Sequence, residues 1–404
     1  MPYQNGLNIT FAFIVALIIS FAATPLVKKL AFKIGAVDVP KDKRRMHKKP
    51  MALLGGLAIF YGFIVSVLCF SDYRLPSGGI NWSLFGILAG GVIITVLGIF
   101  DDIKPRKAIF KFLIQIVAAA IPVLLNVRVF AISNPFSPDE LLRLPQWLSI
   151  GASILWIVGV TNAVNLIDGL DGLAVGVSSI AAVALLSILL IQHNTSVTLL
   201  VMAAALAGSC FGFLPYNFNP AKIFMGDTGS TFLGFILACI SIQGPFKTYV
   251  AFMVPLLILG LPIFDTAFAI IRRLAKGQGI MTPDRGHLHH RLIDRGFSHR
   301  STVVILYGLS AILAISGIVM LFSGFSRAML LIISVVLFIL FAVNFVNRSN
   351  SNDEGTTEEN HAAEDTALGN GEGTAAPGVE TEETAPAQES GASVETDSVP
   401  KEKE

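Results

Sequence analysis

The 404-residue chain is 53% apolar and only 14% charged, a balance that places it among membrane proteins and excludes an ordinary soluble domain. Its net charge of +1 hides a division: residues 1–348 carry 27 Lys and Arg against 13 Asp and Glu, whereas residues 349–404 carry 2 against 15. Three cysteines, Cys69, Cys210 and Cys239, all lie inside apolar runs, which excludes a disulfide framework or a C-x-x-C metal site and reads as small buried hydrophobes.

The first apolar run, Ile9 to Val27, has no positive charge before Lys28 and exceeds the ~7–15 residues of a signal-peptide core, so it reads as a retained membrane helix. At ~20 apolar residues per span, the chain predicts an all-α, polytopic integral membrane protein of about eleven helices. They fall near 8–27, 53–70, 82–100, 108–127, 147–163, 173–191, 197–214, 228–243, 249–271, 303–322 and 327–346. Alternate loops differ sharply in Lys and Arg, 22 against 5 when flanks are included. The positive-inside rule puts the rich set in the cytoplasm, the N-terminus outside and the C-terminal tail inside. The membrane domain is expected over 1–348. The tail, 349–404, has no Phe, Tyr or Trp and is expected to be an acidic, disordered cytoplasmic segment.

On this topology every polar motif lies at one face. Residues 37–50, V-D-V-P-K-D-K-R-R-M-H-K-K-P, follow the first span. Attraction to anionic lipid explains the lysines but not Asp38, Pro40 and His47 among them. G-I-F-D-D at 98–102 ends the third span, with Lys104, Arg106, Lys107 and Lys111 beyond it. Adjacent carboxylates with cations nearby suit Mg²⁺ plus phosphates; a charged helix end is the plainer alternative. T-N-A-V-N-L-I-D-G-L-D-G-L at 161–173 spaces Asn165, Asp168 and Asp171 three apart. Acids beside hydrocarbon are expensive and mark function by default, and glycine after each aspartate permits a sharp turn and close approach to a ligand.

F-M-G-D-T-G-S at 224–230 places Asp227 at a helix start, where free N–H groups can accept an anion. Lys222 nearby favours a phosphate-facing loop, or serves only as an inner-face charge. Asp265, two turns before Arg272, is either a structural partner or a site wall. G-H-L-H-H-R at 286–291 lacks a third ligand at zinc spacing and reads as a polar loop for phosphate or sugar hydroxyls.

Together, V-D-x-P-x-x-x-R-x-x-H-x-x-P, F-D-D, N-x-x-N-x-x-D-G-x-D-G-L, F-M-G-D-T-G-S and H-L-H-H-R resemble the polyprenyl-phosphate N-acetylhexosamine-1-phosphate transferases, glycosyltransferase family 4, over residues ~8–346. The likeness is to the WecA/TagO-like branch rather than the branch using UDP-MurNAc-pentapeptide. Two departures are Leu288 where H-I-H-H is common, and Pro105 where the family's D-D-x-x-D has its third acid. The resemblance implies transfer of GlcNAc-1-phosphate from UDP-GlcNAc to undecaprenyl phosphate in the cell membrane, with UMP released, and no nucleic-acid partner. It also implies Mg²⁺, with Mn²⁺ as the alternative ion, and a homodimer as the assembly met in the family. Carried onto this chain, Asp227 and Asp168 become metal ligands. Asp101, Asp102, Asp168, His287, His289 and His290 become catalytic candidates. Asn165, Asp171, Lys104, Lys111, Arg44, His47, Lys222 and Arg291 become substrate-binding candidates. The competing readings are the same transfer from another UDP-sugar, a secondary transporter, and a membrane scaffold recruited through the tail.

Overall fold

The computed structural model describes residues 2–323 except 41–49, 76, 135–136, 193–194, 245–248 and 280–285, with isolated positions up to 333. Arg44, His47, the tail and all but isolated positions of the expected span 327–346 lie outside the described residues. The elements in order are α1 (Pro2–Ile34), β1 (Val37–Asp38), β2 (Met51–Ala52), α2 (Gly55–Phe70), α3 (Trp82–Ile103), α4 (Ala108–Leu124), β3 (Ala131–Asn134) and β4 (Ser137–Arg143). They continue with α5 (Gln146–Leu166), α6 (Leu173–Ile191), α7 (Val197–Asn217), α8 (Gly226–Gln243), α9 (Tyr249–Ile258), α10 (Gly260–Ala275), α11 (Leu288–Asp294) and α12 (His299–Ser323). The protein is all-α and polytopic, as the hydropathy predicts: six helices are long and apolar enough to cross a membrane, and α2 and α4 are shorter apolar helices.

Helices of this kind are apolar on every side, and their two apolar surfaces have different fates. One packs inward, where Phe63, Phe213, Phe232 and Phe235 are fully buried; the other leaves Phe11, Ile18, Leu26, Trp147 and Leu155 exposed in positions suited to lipid. The centre is α7, which touches α1, α2 and α6, together with α8, which touches α3 and α5.

The expected single span over 249–271 is instead two helices, α9 and α10, that meet at Leu259. The physical reason lies in G-L-P at 260–262: Pro262 has no N–H to give the carbonyl four residues back, and its ring crowds that turn. Two short antiparallel pairings also escaped the hydropathy reading, β1 with β2 and β3 with β4.

The chain reversals bring one set of helix ends together. Phe224 N–H donates to Ala52 O (2.9 Å), and Gly55 and Gly56 N–H donate to Phe224 O (3.0 Å) and Met225 O (2.9 Å). The segment after α1 is thereby stitched to the one before α8, and the polar motifs collect at this end.

Candidate active site

The start of α8 is the hub. Gly226 has a left-handed backbone (φ +71°) and lies so close to Asp102 that a Cβ there would sit 2.5 Å from Oδ2. Through this gap the Asp102 carboxylate reaches the exposed end of the helix. Its Oδ1 accepts from Asp227 N–H (2.8 Å), and its Oδ2 accepts from Thr228 N–H (3.1 Å) and the Thr228 hydroxyl (2.6 Å). The free N–H groups expected to greet a ligand anion are therefore taken by an anion of the chain itself, an N-cap delivered from α3. Of the two acids expected to face the lipid phosphate, Asp102 thus has both oxygens engaged at the start of α8.

Asp101 and Asp227 share one cation. Lys111 Nζ lies 3.0 Å from Asp101 Oδ2 and 2.6 Å from Asp227 Oδ2. Asp101 Oδ1 accepts from the Arg106 backbone (2.8 Å). Asn165 Nδ2 donates to Asp227 Oδ1 (3.0 Å) and to Ser230 Oγ (2.8 Å). Of the four cations after F-D-D, only Lys111 enters the cluster by its side chain among the described residues. Lys104 is exposed, as are Lys222 and Arg291; Lys222 Nζ lies 6.0 Å from the centre of the Tyr216 ring.

Asp171, another substrate-binding candidate, is occupied with architecture. Its Oδ2 accepts from Asn219 Nδ2 and Ala221 N–H, both at 3.0 Å. Its own N–H donates to His299 Nε2 (2.9 Å), while Tyr307 O–H donates to Gly172 O (2.6 Å). Arg300 Nε donates to Asn219 O (3.2 Å). So α12 grips both the 167–172 turn and the 217–221 segment. His299 and Tyr307 were not anticipated, since neither carries a spacing that distinguishes it.

Asp168 is the exception. Its carboxyl group makes no hydrogen bond or ion pair among the described residues. Burial first, then the negative charges of Asp227, Asp102 and Asp171, push the Asp168 carboxyl up to about 8. A half-buried acid hemmed in by three others lacks positive charge.

The H-L-H-H segment lies against this turn. Asp265 of α10 accepts from His287 Nδ1 (2.8 Å) through Oδ2 and from Leu288 N–H (2.9 Å) through Oδ1, capping α11. Asp265 is thus the partner that fixes this loop, and a lone acid in an apolar helix was the signal for it. His289 presses on Gly169, where a Cβ would come within 2.4 Å of Nε2, and that nitrogen is buried without a partner. The glycine expected to admit a ligand admits an imidazole. Burial, then the neighbouring His290, lowers the His289 pKa to about 4, so the ring is neutral near pH 7. The rings of His289 and His290 are 4.2 Å apart.

The residues carry the pattern of a site for anions that arrive with their own cation. Among the described residues no three His, Cys, Asp or Glu side chains form a ready-made metal cage. Mg²⁺, however, takes only one or two protein carboxylates and completes its shell with phosphate and water, and the unpartnered Asp168 beside Asp227 fits that demand.

A family model for glycosyl transferase family 4 matches residues 84–245, which hold Asp101, Asp102, Asp168 and Asp227. The chain is 42% identical over 342 residues to a probable undecaprenyl-phosphate N-acetylglucosaminyl 1-phosphate transferase of Bacillus subtilis, covering 83% of this chain and 91% of that protein. This chain belongs to glycosyl transferase family 4. A decaprenyl-phosphate N-acetylglucosaminephosphotransferase of Mycobacterium leprae is 36% identical over 313 residues, 72% of this chain and 78% of the relative. An undecaprenyl-phosphate alpha-N-acetylglucosaminyl 1-phosphate transferase of Salmonella typhi is 31% identical over 329 residues, 78% and 85% of the two chains. As a family 4 transferase, the protein has its shared cluster at the junction of α3, α5 and α8.

Proposed function

We propose that this chain transfers GlcNAc-1-phosphate from UDP-GlcNAc to undecaprenyl phosphate at the cytoplasmic face of the cell membrane, making the first lipid-linked intermediate of a cell-envelope glycan. A lipid-phosphate oxygen attacks the phosphorus that bears the sugar, a new P–O–P bond forms, and the bond to the uridylyl oxygen breaks to release UMP. The nucleophile is already ionised near neutral pH, so the step needs no general base, and catalysis is positioning and charge stabilisation.

The observation that carries this reading is Asp168, unpartnered beside the Lys111–Asp227 pair, at the loop end of the spans. Asp168 and Asp227 would hold Mg²⁺, which when bound offsets the charge of the diphosphate. Lys111 stands between Asp101 and Asp227 as the cation nearest to incoming phosphate. Asn165 orients Asp227, Asp102 holds the helix start beneath it, and Asp171 keeps the turn that presents Asp168. His290 and Arg291 are the sugar or diphosphate contacts of the H-L-H-H loop, with His287 and His289 setting its shape.

Purified protein with undecaprenyl phosphate, UDP-GlcNAc and Mg²⁺ should release UMP in step with GlcNAc-diphospho-lipid, and EDTA should stop it. UMP from a different UDP-N-acetyl sugar alone would replace the donor and keep the mechanism. No UMP from any donor, with folded protein, would overturn the reading.

A further inference from the structure

The D-G-L-D-G turn that presents Asp168 contains two glycines, and Gly172 has a left-handed backbone (φ +80°). A turn of this composition has little stiffness of its own, so its shape depends on what holds it from outside. Among the described residues, three bonds from other elements hold the backbone at its end. Asp171 N–H donates to His299 Nε2 (2.9 Å), Gly172 N–H donates to Asn217 Oδ1 (3.1 Å), and Tyr307 O–H donates to Gly172 O (2.6 Å).

The first of these differs in kind. A backbone amide can only donate, so the His299 nitrogen that meets it must be bare. The imidazole is therefore neutral, with its proton on Nδ1. An amide oxygen and a phenol keep their roles at any ordinary pH, whereas a histidine takes up a second proton between about pH 5 and 8.

The groups around His299 determine what that proton would do. The Asp171 carboxyl faces it from the turn and His289 from α11. Arg300, next on α12, is engaged with Asn219 O, and Asp265 of α10 is engaged with His287. Arg295, in the loop before α12, is exposed, and neither α6 nor the 217–221 segment brings a titratable side chain. A ring protonated on both nitrogens is repelled by the Asp171 N–H and drawn to the carboxyl of the same residue, whose Oδ2 serves Asn219 and Ala221. Protonation removes one bond from the turn and competes for two others.

We propose that His299 is a positioning residue that holds the Asp168 turn in its working shape only while its imidazole is neutral, so that acid loosens the turn through α12. The loosening stands on this geometry, while its effect on UMP release rests on the transferase reading.

Hydrogen exchange of the full chain in detergent, read by mass spectrometry, tests the turn itself. After correction for the intrinsic pH dependence of amide exchange, a wild-type peptide covering 167–172 should lose at least about threefold in protection from pH 7.5 to pH 5. His299→Gln offers an amide oxygen to the same N–H and does not titrate, so it should keep that protection at both pH values. His299→Leu offers no acceptor and should lack it at both. The rate of UMP release by His299→Gln relative to wild type should be near one at pH 7.5 and rise about threefold at pH 5. Titration of Asp168 is common to both chains and cancels from this ratio. Wild-type protection that does not change with pH would overturn the proposal without any variant. So would an equal acid loss of protection in folded His299→Gln, or a rate ratio that stays constant across pH. Acid loosening of the wild-type turn, kept off by His299→Gln, would support the switch even if no donor yielded UMP, and only the transferase reading would then fall.

Discussion

Asp102 and Asp168 are the same residue type in the same polar cluster, and the chain treats them in opposite ways. Asp102 spends both oxygens on three donors at the start of α8. Asp168 spends none among the described residues. A saturated carboxylate builds the site, whereas an unsatisfied one is what the site offers to a ligand. The two should therefore fail differently when altered.

The largest effect is expected at Asp168. Asp168→Asn should lower UMP release by at least on the order of 100-fold, while the thermal midpoint without divalent cation near neutral pH stays the same, because a neutral amide replaces a carboxyl that burial already keeps largely protonated. The pH dependence sharpens this. The folded carboxyl holds its proton up to about 8, whereas the unfolded one loses it near 3.9. Between these values the unfolded state binds fewer protons, so this group makes stability fall as pH rises. Between pH 6.5 and 8, above the interval in which His289 contributes with the opposite sign, denaturation midpoints should slope downward for the wild type and less so for Asp168→Asn; identical slopes would dispose of the contrast.

Asp102→Ala should reverse the pattern. It leaves the Asp227 and Thr228 N–H groups without acceptors at a helix start, a loss of about 2 kcal/mol. Urea or thermal unfolding in detergent should show that deficit first, with activity falling because Asp227 is no longer held. Loss of turnover at unchanged stability would mean that Asp102 acts on substrate.

A smaller effect is expected at Asp265. Asp265→Ala uncaps α11 and frees His287, so the KM for the UDP-sugar should rise about tenfold, a change comparable to losing a helix cap. His289 provides a second readout. In the wild type its imidazole resonances should titrate near pH 4 rather than 6.5, and stability should decline as pH falls through that interval, because only the unfolded ring takes up a proton there. Asp265→Ala removes a negative charge that favours the protonated ring, so this titration should move further from 6.5 while the loop stays closed.

The smallest is Tyr307→Phe, which removes one hydrogen bond to Gly172 O. About 1 kcal/mol of stability and a few-fold loss of UMP release should follow, with the Asp168-dependent pH slope retained.

Much of this molecule was legible in order along the chain. The expected spans up to residue 243 correspond one for one to α1–α8, because burial of ~20 apolar residues is a local, additive property. The expectation failed where backbone chemistry interrupted hydropathy, at G-L-P between α9 and α10. Asn165, Asp168, Asp171 and Asp227 were all visible as polar residues beside hydrocarbon. His299 and Tyr307 were not, since each is ordinary until it meets a partner more than 120 positions away.

The sequence by itself determined the membrane class, the positions of most helices, the division between a basic membrane domain and an acidic tail, and the motifs of glycosyl transferase family 4. Only the tertiary structure decided how the acids divide their work. The donors that satisfy Asp102 lie 125 and 126 residues further on, and among the described residues no donor reaches the Asp168 carboxyl. Hydropathy sums over neighbours in the chain, but the charge state and bonding of a carboxylate depend on neighbours in space, which helices from distant parts of the sequence supply.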